Sequence, residues 1–144
     1  MKIELTEIVI PTYRRGPDDP CPPLGFSRGS PCYPYGRQDD VDIESSARHF
    51  DPLARHRVIR LTNGLLEALV LPDMNGRLYS LREVHTGREI FYRNNVIKPG
   101  LVALRGAWLS GGIEFNFPSI GHTVSTVSPV FFRLEQSRDE VAVI

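Results

Sequence analysis

The residues best suited to chemistry cluster between positions 105 and 122, where Arg105, Trp108, Glu114, Asn116 and His122 follow one another closely. Glu114 and Asn116 are two apart, so an extended strand would turn both to one side and Ile113, Phe115 and Phe117 to the other. A carboxylate beside an amide suits vicinal hydroxyls: the ionised oxygens accept strongly, and the amide both donates and accepts. A plainer use for Glu114 is an ion pair with Arg105 or Arg77. Trp108, the sole tryptophan, stands just ahead of Gly111-Gly112, where an indole can offer a flat face to a pyranose ring or else sit in the core. Arg105, beside Gly106, can fork onto hydroxyl oxygens or hold Glu114 in place. His122 follows Gly121 and can protonate an oxygen if a carboxylate lies near, or can be a surface residue.

Composition removes several classes of function. Lysine plus arginine and aspartate plus glutamate both number 17, which leaves no cationic excess for a phosphate backbone, so no nucleic-acid partner is expected. The N-terminal Met1-Lys2-Ile3-Glu4-Leu5-Thr6-Glu7 has two acids before any apolar run, unlike a signal peptide, and no stretch is long enough to span a membrane. A cytoplasmic protein with no membrane partner is expected. Cys21 and Cys32 lack metal spacing, as do His49, His56 and His85, so no metal or other cofactor is expected. The HExxH, GxSxG, GxGxxG and P-loop signatures do not occur.

The elements that must position the cluster read as all-β. Residues Ile3 to Ile10 alternate loosely, are rich in β-branched types and end at Pro11, predicting an edge or lead-in strand. From Pro11 to about Phe50 closely spaced prolines and glycines predict a long loop or leader without regular structure, whose aromatic residues pack on the sheet. Val58 to Leu61 and Leu65 to Leu71 flank Asn63-Gly64, a strong hairpin signal because both residues tolerate positive φ. Asn75-Gly76 then introduces Leu78 to Leu81, and Thr86-Gly87 introduces Glu89 to Tyr92, which predicts a four-stranded meander. A later strand is expected from Val130 to Leu134. No window carries a helical period, so no helix longer than two turns is expected. The apolar end Val141-Ala142-Val143-Ile144 reads as a strand cut from a longer domain.

In order along the chain, Ile10-Pro11-Thr12-Tyr13, Tyr33-Pro34-Tyr35, Asn63-Gly64-Leu65-Leu66-Glu67, Val70-Leu71-Pro72, Gly76-Arg77, Val96-Ile97-Lys98-Pro99 and the segment Arg105 to Pro118, with its WLSGGIEFNFP, resemble a known family. It is a domain-of-unknown-function family, number 5107, of galactose-mutarotase-like sandwiches often found ahead of tetratricopeptide repeats. Two positions depart from it: Gly121 where another histidine is expected, and Phe117 where tryptophan is common. The resemblance implies a β-supersandwich of which this chain is the N-terminal part, with further strands and a mutarotase-type glutamate base lying beyond Ile144. It implies two regions: residues 1–56, a strand plus Pro/Gly-rich leader, and residues 57–144, the meander and the first part of the sandwich.

On this reading the partner is a sugar or oligosaccharide, with a C-terminal repeat domain outside this chain. Arg105, Trp108, Asn116 and Arg77 would bind it, and His122 and Glu114 are the candidates for catalysis. A binding module without turnover, or a structural domain packed against repeat helices, are the alternatives, and whether the domain is an enzyme is left open.

Overall fold

The structure, a computed structural model, describes residues 1–13, 25–27, 30–32, 50–102, 106–115 and 124–144. Among the described residues twelve strands follow in order: β1 (Lys2–Val9), β2 (Thr12–Tyr13), β3 (Gly25–Ser27), β4 (Ser30–Cys32), β5 (Phe50–Asp51), β6 (Arg55–Thr62), β7 (Leu66–Leu71), β8 (Arg77–Glu83), β9 (Gly100–Val102), β10 (Gly106–Trp108), β11 (Leu134–Gln136) and β12 (Val141–Val143). One 3₁₀ turn, Val124–Val127, is the only helical element among the described residues. Each pair of strands is antiparallel, an arrangement of the β-sandwich kind.

The main sheet has the order β1-β6-β7-β8. As expected of an edge, β1 pairs on one side only, with β6, over its whole length from Lys2 opposite Thr62 to Val9 opposite Arg55. The hairpin between β6 and β7 forms where Asn63-Gly64 signalled it, but only Gly64 takes positive φ, at 87°. Asn63 acts through its side chain, whose Oδ1 accepts from the backbone N–H of Leu65 at 2.9 Å and of Leu66 at 2.8 Å. At the next turn both residues are left-handed, Asn75 at φ 59° and Gly76 at 62°.

One face of the sheet carries Val58, Leu69, Leu71 and Tyr79 under a cover of Ile10, Ile97, Leu109 and Val127. Val58 and Leu71, with relative exposures of 0% and 1%, each contribute roughly 1.5–3 kcal/mol by leaving water. Further along this face the apolar residues give way to charges: Arg60 pairs with Glu4 at 3.2 Å and Glu67 at 3.6 Å, and Arg82 with Glu67 at 2.8 Å. The opposite face is partly covered by the β11–β12 hairpin, which lies against β1 and brings Val141 to a cavity with Leu61, Leu66, Ala68 and Leu81.

Elsewhere the structure corrects the expected elements. Glu89 to Tyr92 does not form a fourth meander strand; it makes a single bridge, Glu89 to Arg82, and Ile90 and Tyr92 face solvent. The side chain of Glu89 is instead drawn inward by the buried Ser80 hydroxyl at 2.8 Å and by Arg93 at 3.2 Å, which breaks the alternation a strand would need. The strand expected at Val130 to Leu134 begins only at Leu134; upstream of it the N–H of Val130 is bonded to Pro72 O of the β7–β8 turn, away from β12. The leader contains the short β3–β4 hairpin and returns through β5, where Phe50 pairs with Tyr13 and their rings stand 4.6 Å apart. How the rest of the leader packs lies outside the described residues.

Candidate functional site

The polar site is prepared by a break in register. Leu69 lies opposite Ser80 but Val70 lies opposite Leu78, so Tyr79 is an extra residue on β8. Such a bulge re-aims the side chains beyond it. Here Tyr79 and Ser80, although consecutive, are both buried, and Arg77 is carried onto the same buried face opposite Leu71. An arginine with 3% exposure must be paired or hydrogen-bonded.

Its partners come from the segment after Leu109. Gly111 and Gly112 take φ of +84° and +70°, and both approach backbone closely: a Cβ would lie 2.6 Å from Asn94 N at the first and 2.5 Å from Leu78 O at the second. Only glycine fits both requirements. The double bend lets Ile113 pair with Leu78 in both directions, at 3.1 and 2.9 Å, and points the Gly111 carbonyl at Arg77 Nη1. The adjoining Glu114 accepts from Arg77 Nη2 at 2.7 Å, with 4% and 11% of the two side chains exposed. Thr126 Oγ1, on the 3₁₀ turn, lies 3.4 Å from the other carboxylate oxygen. Burial pushes the Arg77 guanidinium down from its ordinary range, while the charge and hydrogen bond of Glu114 push it back up. Its Nε, also buried, has no hydrogen-bond partner among the described residues.

Two of the expected residues, Arg77 and Glu114, are thus brought together from positions 37 apart in the chain. Glu114 faces inward while Ile113 and Phe115 are 44% and 56% exposed, because the carboxylate must reach Arg77 beneath the sheet edge. Residues 113–115 also form only one bridge rather than a strand. Trp108 ends β10, opposite Gly100 of β9. Arg105, Asn116 and His122 lie outside the described residues, as does the expected adjacency of Asn116 to Glu114.

Sequence reasoning missed Thr126 and Asn75. Asn75 Nδ2 donates to Phe115 O at 2.5 Å, tying the β7–β8 turn to the segment that carries Glu114. Its signal was the Asn-Gly pair, read only as a turn. The arrangement is chemically a clamp: an ion pair, two left-handed glycines and an asparagine fix Leu109–Phe115 against β8.

A sequence model for a domain of unknown function, DUF5107, matches residues 28–144. The chain is also similar to a TPR-domain containing protein from Parabacteroides distasonis of known crystal structure, with a TM-score of 0.69 and 25% sequence identity over 99% of this chain. The match covers 23% of that protein, so this chain spans less than a quarter of its length. Since the family match takes in well over half of the sequence, the chain belongs to the DUF5107 family of domains of unknown function.

Proposed function

We propose that this chain is a carbohydrate-binding domain of the galactose-mutarotase-like kind, working as one part of a longer protein that also carries tetratricopeptide repeats. The observation that carries the reading is that Arg77 of β8 holds Glu114, which belongs to the segment whose composition suits hydroxyl recognition. Glu114, held by Arg77, serves as a positioning residue, and direct contact with the sugar falls to Trp108, Asn116, Arg105 and His122. Binding rather than turnover is the function assigned to the described residues, since the Glu114 carboxylate already serves the fold.

The test is a titration of the folded chain with mono- and oligosaccharides while recording the fluorescence of Trp108, the sole tryptophan. A saturable change with one sugar, lost in Asn116→Ala or His122→Ala at unchanged melting temperature, is expected. A flat signal across the panel overturns the sugar site on this segment. The second reading, a domain that packs against repeat helices, draws on Phe131, which is fully exposed, and on Ile113 and Phe115. In that case sugars have no effect, and Phe131→Ser weakens attachment to the repeats.

A further inference from the structure

A second concave site lies on the other side of the 3₁₀ turn from Glu114. Of two adjacent residues, Thr126 approaches Glu114 while Val127 lines a cavity of about 290 Å³ together with Thr12, Tyr13, Ala54, Arg55, His56, Met74, Ile97 and Pro99. That volume is close to the lower end of small-molecule pockets, roughly 300 Å³. The five apolar lining residues supply an apolar body, and the polar groups gather around Thr12 and His56.

The hydrogen bonds there have a fixed direction. Thr12, itself 6% exposed, donates its one hydroxyl proton to Ile10 O at 2.8 Å, so it accepts from His56 Nε2 at 2.7 Å. The imidazole therefore carries its proton on Nε2. Lys98, between the lining residues Ile97 and Pro99, places Nζ 5.0 Å from the centroid of the Tyr13 ring and has no carboxylate partner among the described residues. Among the described residues Arg55 pairs with Glu7 at 3.6 Å, and both side chains are exposed. Among the described residues no aspartate or glutamate lines the cavity.

A largely apolar cavity with the Arg55 guanidinium in its lining, the Lys98 ammonium over the Tyr13 ring and no carboxylate among its described lining residues suits an anion with an apolar body. We propose that this cavity binds a small organic carboxylate, its ring or chain against Tyr13, Met74, Ile97 and Val127 and its charge toward Lys98 and Arg55. The site stands apart from the carbohydrate reading, and failure of every sugar leaves it intact.

The chain offers a direct probe, since it has two methionines, Met1 and Met74. Met74 lines this cavity and Met1 lines the separate one beside Leu61 and Val141. In the chain labelled with [methyl-¹³C]methionine, sodium benzoate is expected to move the Met74 signal saturably and leave Met1 in place. Benzyl alcohol, of similar shape without charge, should bind about fivefold more weakly, and Lys98→Gln should weaken benzoate about fivefold without changing benzyl alcohol, the size expected of an exposed charge pair. A stationary Met74 signal at tens of millimolar benzoate overturns the proposal. Equal affinity for benzyl alcohol, or equal movement of Met1, does so as well.

Discussion

Arg77 Nη2 and Glu114 Oε2 stand 2.7 Å apart with 4% and 11% of their side chains exposed, so the two charges face each other where water barely reaches. Removing one partner of a buried pair strands the other without water, which costs about 3–5 kcal/mol, far more than the pair contributes relative to neutral groups. Glu114→Gln should therefore lower unfolding stability by about 3 kcal/mol, the low end because Glu114 keeps some exposure. Arg77→Met combined with Glu114→Gln should recover most of that loss. Urea unfolding of the four members of the cycle checks it. A Glu114→Gln midpoint equal to that of the parent chain would remove the structural role and return Glu114 to direct recognition.

The glycine pair allows a controlled comparison. Gly64 and Gly112 both have positive φ, 87° and 70°, but a Cβ at Gly64 meets nothing within 4 Å whereas one at Gly112 meets Leu78 O at 2.5 Å. Gly64→Ala isolates the backbone strain, about 1–2 kcal/mol. Gly112→Ala adds a collision with the main chain of β8, so its loss should exceed that of Gly64→Ala by about 1–3 kcal/mol. It should also disturb the amide signals of Leu78 and Ile113, whose mutual hydrogen bonds depend on that approach. Equal losses for the two variants would show that the segment can move away from β8 freely.

The parts of the fold legible in the sequence are those fixed by local chemistry. Alternation and Asn-Gly turns located β1, β6, β7 and β8 because period and turn residues act over a few positions. The family residues also named Arg77 and Glu114. What escaped depends on distant partners. A bulge at Tyr79 decides that Arg77 points inward, and nothing in Arg77-Leu78-Tyr79-Ser80 alone reveals it, since the register is set by β7. Likewise the sequence offers Glu114 either Arg105 or Arg77 as a counter-ion, and the pairing with Arg77 shows only once β8 is in place, while Glu89 reads as a strand start until Ser80 and Arg93 claim its carboxylate. The Thr12–His56 contact joins residues 44 apart and left no trace in spacing.

A final consequence concerns acid. In the turn after β8, the Thr86 hydroxyl donates to Glu83 at 2.8 Å and Arg88 Nη2 donates to its other oxygen at 2.7 Å. These contacts, the threonine's first and the arginine's second, hold the Glu83 carboxyl below its ordinary value near 4.5 against a small opposing effect of burial. A group whose folded value is depressed adds stability that is present in full above its unfolded value and disappears as pH falls through the folded one. Chain carrying Glu83→Gln should therefore unfold at lower urea than the parent at pH 7, and the gap should close as the pH drops below that ordinary value. Because the carboxylate is open to solvent, the gap should be small and should also shrink in molar salt. Urea midpoints of both chains from pH 7 to pH 3, with a ¹³C titration of the Glu83 carboxyl, decide it. A gap that persists undiminished at pH 3 would mean that the contribution comes from the shape of the turn rather than from its charge.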